Sequence, residues 1–479
     1  MIQRLRSIFS PGYFQVIAYM LQCNEYQVKP YLAWYWRTAD FSKVMKRRTL
    51  DKTRAATLLI LVMTMGAILQ IVTAIILIRL ATQNADSILL LVGLVLLMAY
   101  PIVWAHLVVV PLSLGRAFII KPRERRLIAQ SKIIFAKHPG VIIGVAGSYG
   151  KTTMKELLVT VLSEGKKVAA TPANKNVAES HARFAASLSG DEDVLVIEYG
   201  EGKSGDVAGF AETTRPNIGI ITGLAPAHLD QYPTLEAAGQ DIFALANYMG
   251  DKQIFVNIES KSTEHFLQPS HTPYSQTKVG DWAISDVTVD YEGTGFTMKS
   301  GKKHFKLHSK LLGAHQVGPL ATVACIAVSL GLSDYQVIRG VSKTTPHEHR
   351  MQPYQLNGGW VVDDTYNGNI DGIRAGLSLL AILPAKRKTY ITPGLVDQGI
   401  ETMAVHAEIG KLIASAKPNK VVLMQNSVTA TIVKALQSAG FDGELVIETD
   451  PLTFYTNLDH FVAAGDLVVM QNDWTDNYS

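Results

Sequence analysis

Val141-Ile-Ile-Gly-Val-Ala-Gly-Ser-Tyr-Gly-Lys-Thr-Thr153 is a short apolar run that breaks into a glycine loop and ends on Lys-Thr-Thr. The apolar part predicts a buried strand, and Met154 to Leu162 behind the loop predicts a helix. Between them the glycines at 144, 147 and 150 let the backbone turn tightly and aim its N–H groups at an anion. Lys151 adds positive charge, and the Thr152 hydroxyl suits a magnesium ion held by the same phosphates. Gly147, Ser148, Gly150, Lys151, Thr152 and Thr153 are therefore candidate nucleotide-binding residues, with ATP and Mg2+ as the ligands expected. One departure from the usual P-loop pattern is Val145, which stands where a glycine is customary.

Downstream, strand and helix alternate: Gly140 to Ala146 as strand, Lys151 to Ser163 as helix, then strands over Val194 to Tyr199 and Ile218 to Thr222. Such alternation predicts a mostly parallel sheet covered on both faces, with reactive groups at the carboxyl ends of the strands. Glu198 ends a buried-looking run, where an ionised carboxylate needs a partner or a cation. His228 lies just past the next strand. Thr152, Glu198 and His228 are the candidate metal ligands. Tyr274 to His308 reads as hairpins of a β-rich flap, from the short alternating runs Val287, Val289 and Tyr291, then Phe296 and Met298, then Phe305 and Leu307. From Arg350 a second α/β alternation begins, with strands over Trp360 to Asp364, Thr389 to Thr392, Val421 to Gln425 and Leu467 to Met470, and a helix over Gly372 to Leu383. Within it, Asp364 to Asn369 reads either as part of a site or as a polar turn capping the following helix.

Upstream, Ala55 to Ile78 and Ile88 to Leu114 are apolar runs, each about the roughly 20 residues a hydrocarbon core requires. Neither shows a polar face, and they read as a transmembrane hairpin in which Pro101 and Pro111 would kink the second helix. Basic residues (Lys43, Lys46, Arg47, Arg48, Lys52, Arg54) precede the first run, and Arg116, Lys121, Arg123, Arg125 and Arg126 follow the second. The connection carries only Arg79, so both ends are expected in the cytoplasm. That gives a multi-pass membrane protein, contacting lipid, with its α/β part on the cytoplasmic side where ATP is available. Aromatic residues among basic ones in residues 1–50 fit helices lying at a membrane surface, with a docking surface as the alternative.

The 479 residues leave room for about three domains. A net charge of +4 gives no reason to expect nucleic-acid binding. Two cysteines, Cys23 and Cys325, exclude a disulfide framework.

Five blocks together resemble the Mur ligase family, over roughly residues 138 to 470: Gly144 to Thr152, Thr171-Pro-Ala-Asn174, Ile197-Glu-Tyr-Gly200, Ala227-His-Leu-Asp230 and Asp363-Asp-Thr-Tyr-Asn-Gly-Asn369. The resemblance implies an ATP-dependent amide ligase acting through an acyl phosphate on a peptidoglycan precursor. Lys151 would hold the β- and γ-phosphates, Thr152 and Glu198 would bind magnesium, and His228 would support a second metal. Asn174 would lie near the reacting carboxylate, Arg350 would contact the phosphoryl group, and Gln316 would reach adenine. Asp364 would approach the ribose, with Asn367 beside it. Implied boundaries are residues 1–135 for membrane-associated helices, 136–345 for the ATP-binding domain with its flap, and 346–479 for a Rossmann-like α/β domain.

Several departures stand out. Members usually carry, after the histidine, a lysine whose carbamate bridges two magnesium ions. No lysine occurs between Gln231 and Asp251, and Asp241 in Ala237-Ala-Gly-Gln-Asp-Ile-Phe243 is one possible substitute. Gly394-Leu-Val-Asp-Gln-Gly399 and Met470-Gln-Asn-Asp-Trp474 replace motifs that serve the incoming amino component, so the acceptor stays open among an amino acid, a dipeptide and another amine. The usual substrate domain is replaced by the hairpin, which suggests a lipid-linked precursor. An amidating or polyglutamate-type ligase, and a nucleotide-binding scaffold without turnover, are the rival readings.

Overall fold

The computed structural model describes residues 2–24, 26–44, 50–172, 176–225, 232, 234–366, 368–395, 398 and 401–472. The chain forms two compact units, Met1–Arg126 and Leu127–Ser479.

In the first unit the long apolar helices run over Arg54–Asn84 and Ser87–Leu107. Thr53 starts the first by accepting from Ala56 N at 3.2 Å, and Asp86 starts the second by accepting from Ile88 N and Leu89 N. The first helix therefore extends beyond the expected span, to Asn84. The second continues through Pro101 and stops at Leu107, ahead of a short helix, Val109–Gly115, that contains Pro111. Small residues let the two helices approach. Ala67, Ala74 and Ala81 recur every seven residues on the buried side, and a Cβ on Gly66 would lie 2.1 Å from the Trp104 ring. The outward side carries Leu61, Met65, Leu69 and Ile75, and from the second helix Ile88, Leu91, Val95 and Met98, all exposed. Only 28% and 17% of the two most apolar windows are buried, and both helices are long and apolar enough to cross a membrane.

Residues 2–44 differ from surface-lying helices. Helices Ile2–Ile8, Tyr13–Cys23 and Val28–Arg37 enclose an aromatic core, with Tyr13, Tyr31, Tyr35 and Phe41 buried. Phenols inside a core need partners. Tyr31 Oη donates to Ala105 O at 2.6 Å, and the hydroxyls of Tyr13 and Tyr35 pair at 3.0 Å. Arg4 stacks on the Tyr35 and Trp36 rings while donating to both residues' carbonyls.

The second unit contains two sheets. The first is built from Val141–Ala146 (β1), Val168–Ala170 (β2), Val194–Glu198 (β3), Ile218–Ile221 (β4), Ile254–Asn257 (β5), Thr272–Tyr274 (β6), Lys278–Val279 (β7), Trp282–Asp290 (β8), Gly293–Ser300 (β9) and Lys303–Ser309 (β10). Their order is β10-β9-β8-β7-β6-β5-β4-β1-β3-β2. Strands β1 to β6 pair in parallel; from β7 onward pairing is antiparallel. The hairpins expected as a flap thus continue the same sheet. In β1, Ile143 and Val145 face a core with Leu157, Leu158 and Leu320, while Ile142 and Ala146 face Phe184, Phe210 and Ile242. Burial on both faces explains why the strand reads as unbroken apolar sequence.

The second sheet comprises Gln352–Leu356 (β11), Gly359–Asp364 (β12), Arg387–Thr392 (β13), Lys420–Met424 (β14), Glu444–Glu448 (β15) and Asp466–Gln471 (β16). It is ordered β11-β12-β16-β13-β14-β15, antiparallel only between β11 and β12. The helix after β12 spans Ile370–Ile382 and is capped by Asn369, whose side chain accepts from Gly372 N at 2.9 Å.

Candidate active site

A cleft of about 780 Å³ lies between the glycine loop at the carboxyl end of β1 and residues following β12. One wall holds Ser148, Tyr149, Gly150, Lys151, Thr152 and Thr153 with Glu198 and Gln316; the other holds Arg350, Asp364, Tyr366 and Asp371. Sequence-predicted residues from two separate α/β stretches therefore share one cavity. Asn174, His228 and Asn367 lie outside the described residues.

The loop's shape follows from Gly147. Its φ is +145°, and a Cβ there would lie 2.2 Å from Thr222 Oγ1, so no other residue fits without displacement. Gly150 (φ +72°) then leads into the helix Lys151–Leu162, whose first turn presents Lys151 and Thr152 to the cleft. Thr152 Oγ1 donates to Glu198 Oε1 at 3.0 Å. Lys151 Nζ donates to both oxygens of Glu201, at 3.0 and 2.9 Å, and to the Gly147 carbonyl.

Lys155, one helical turn further, is fully buried, and its Nζ stands 3.1 Å from Glu198 Oε2. Neither atom makes an aligned hydrogen bond. Attraction here is Coulombic, and the second oxygen of Glu198 keeps unused accepting capacity inside the protein. Behind it His181 donates from Nε2 to the Glu198 carbonyl at 2.8 Å. Burial pushes this imidazole down to about 4, so it is neutral at ordinary pH.

On the facing wall Arg350 lies over the Tyr366 ring, 4.3 Å from its centre. Asp364 accepts from Met351 N at 3.1 Å and from Gln471 Nε2 at 2.7 Å. Burial pushes its carboxyl up to about 7, partly offset by these donors. Gln471 is itself fixed, accepting from Tyr390 Oη at 2.9 Å and donating to Gly372 O at 2.9 Å. Gln316 contacts His315 Nε2 at 2.8 Å.

Asp241 does not stand in for a bridging carbamate. One of its oxygens accepts from Gly205 N at 2.6 Å, the other from Tyr232 Oη at 2.7 Å, and it is not among the cleft-lining residues. It ties the helix Leu235–Met249 to the turn before Asp206–Thr214. Lys155, Glu201, His181 and Gln471 were not evident as site residues from sequence. Spacing offered a faint signal for two of them: Lys155 follows Lys151 by one turn, and Glu201 follows Glu198 just past the strand.

Residues 145–327 match the model of the Mur ligase middle domain. Over that stretch the chain is similar to the Mur ligase family. A Mycobacterium leprae protein, UDP-N-acetylmuramoyl-tripeptide--D-alanyl-D-alanine ligase, is 25% identical over 363 residues, 69% of this chain and 70% of the relative. The Mycobacterium bovis ligase of the same name is 27% identical, over 59% of this chain and 58% of its own length. The chain thus spans little more than half of some of its Mur ligase relatives. Among solved structures, MurF ligase from Thermotoga maritima in complex with ADP superposes with a TM-score of 0.64 at 19% identity, covering 73% of this chain and 80% of that one. At that identity the likeness establishes the mixed α/β Mur ligase fold with its two sheets.

The residues present fit a nucleotide and a divalent cation. The turn at Gly147, where a Cβ would strike Thr222 Oγ1, sets Ser148 to Thr153 along the cleft, and the buried Glu198 oxygen without an aligned donor suits a hard cation.

Proposed function

We propose that this Mur ligase uses ATP to join a carboxylate of a peptidoglycan precursor to an amine, anchored by its helical hairpin in the cytoplasmic membrane. The observation that carries this reading is the convergence of Lys151, Thr152 and Glu198 from one sheet with Arg350 and Asp364 from the other on a single cleft. Phosphoryl transfer between anions needs alignment and charge neutralisation more than covalent chemistry, and these groups are of that kind.

A carboxylate oxygen of the precursor attacks the γ-phosphorus and ADP leaves, giving an acyl phosphate. The amine nitrogen then attacks the acyl carbon, with loss of inorganic phosphate and a proton. Lys151 and the loop N–H groups hold the β- and γ-phosphates; Arg350 meets the transferring group. Thr152 and Glu198 would hold magnesium, which would supply charge neutralisation on the phosphoryl oxygens, and His228 would support a second ion. By the same reading Asn174 is assigned to the reacting carboxylate, Gln316 to adenine, and Asp364 and Asn367 to the ribose. Names of the relatives support a dipeptide acceptor, and the exposed apolar hairpin supports a precursor that is itself lipid-linked.

Incubating detergent-purified protein with ATP, magnesium and a membrane extract rich in cell-wall precursors should give a new amide-linked product by mass spectrometry. Glu198→Ala should abolish it. ATP binding without any product across amine, amino-acid and dipeptide acceptors would instead favour a scaffold.

A further inference from the structure

We propose that Glu201 is a positioning residue of the nucleotide site. It acts through Lys151, holding the ammonium group in the nucleotide-free chain and yielding it to phosphate. The inference rests on the reading of the glycine loop as a phosphate cradle.

A lysine ammonium has three N–H donors and no more. In Lys151 all three donors are already taken, two by the Glu201 carboxylate at 3.0 and 2.9 Å and one by the Gly147 carbonyl. An incoming phosphate oxygen must therefore displace one of them. The carboxylate is the acceptor that resembles phosphate, because it offers two anionic oxygens to one cation. Gly147 O, by contrast, belongs to the loop that shapes the cradle. The pair is well shielded, with side chains 11% and 5% exposed, so solvent screens it weakly.

Displacing Glu201 does not remove its charge. Its carboxylate remains beside the cradle, on the same strand end as Glu198, itself 4% exposed. Metal-free triphosphate would enter against two neighbouring carboxylates. A divalent cation relieves that repulsion, so Glu201 makes nucleotide affinity depend on the cation more steeply than the loop alone would. The chain thereby discriminates the metal-bound nucleotide from the free anion.

The test is ATP binding to the full-length chain in detergent, in EDTA and over a magnesium series, for the wild type and Glu201→Gln. The variant should bind metal-free ATP about tenfold more tightly, and magnesium should improve its affinity by a correspondingly smaller factor. In parallel, Lys151 in the variant should react faster with an amine-directed reagent, read by mass spectrometry, and ATP should slow that reaction in both proteins. Unchanged or weaker metal-free binding with an unchanged magnesium effect would overturn the proposal. Should Glu201→Gln fail to fold, Glu201→Ala in the same ATP titrations decides, since it removes the same charge. Lys151→Ala separates the two readings. If it binds ATP like the wild type, the cradle itself is wrong; if it loses ATP while Glu201→Gln is inert, only the role of Glu201 fails.

Discussion

On the glycine-loop wall, Lys151 and Lys155 stand one helical turn apart and each meets a glutamate, Glu201 in one case and Glu198 in the other. On the facing wall Asp364 is pushed toward neutrality by burial, and Arg350 rests on an aromatic ring rather than a carboxylate. The first wall keeps full charges and balances them in pairs. The second lowers the charge of Asp364 and holds Arg350 on an aromatic ring, while its other cation, Arg374, is paired with Asp371 and Glu408. A site that takes in a polyanion gains from this difference. The paired wall can exchange one anion for another, while Arg350 on the facing wall meets no carboxylate among the described residues.

The sharpest way to break the contrast is to remove one partner of the buried pair. Lys155→Met leaves Glu198 charged in the core and should destabilise the second unit by about 3–5 kcal/mol, measured by the shift in its denaturation midpoint. A second change, Glu198→Leu, should recover much of that loss. If Lys155→Met alone were neutral, the pair would not be the buried charge balance described here.

A smaller effect sharpens the other side. Asp364 titrates near 7 when folded, above the ordinary aspartate value of 3.8, so its neutral form is the one folding favours. Its contribution to stability is full below about pH 4 and is lost as pH rises through 7. The loss amounts to roughly 1.4 kcal/mol for each unit crossed. Asp364→Asn should flatten stability against pH across that window, as thermal melts at several pH values would reveal. An unaltered pH profile would mean that Asp364 is ionised throughout.

How far the sequence led can be judged from these same residues. The strand and loop at 141–153 were legible because burial on both faces leaves an apolar run, and because a loop turning at Gly147 tolerates no side chain. The two long helices were legible from length and apolarity, and in the fold they are long and apolar enough to cross a membrane. Their limits were not, since Asn84 and Val108 are set by capping and by the Pro111 turn. Residues 2–44 were misread because aromatic content cannot tell an outward-facing belt from a folded core held by phenol hydrogen bonds. The part played by Asp241 stayed open for a related reason. A carboxylate on a helix gives no sign in sequence of whether Gly205 N and Tyr232 Oη will claim it. Glu201 and Lys155 depend on how the end of β3 meets the helix after the loop, which only three dimensions supply.

The account's central claim is that the two walls form one reaction site. Measuring ATP affinity and precursor-stimulated phosphate release side by side in Arg350→Ala tests it most directly. ATP affinity should stay within about threefold of wild type, while phosphate release falls by about 100-fold or more. Phosphate release at the wild-type rate would contradict the claim, because the second sheet would then contribute nothing to the chemistry.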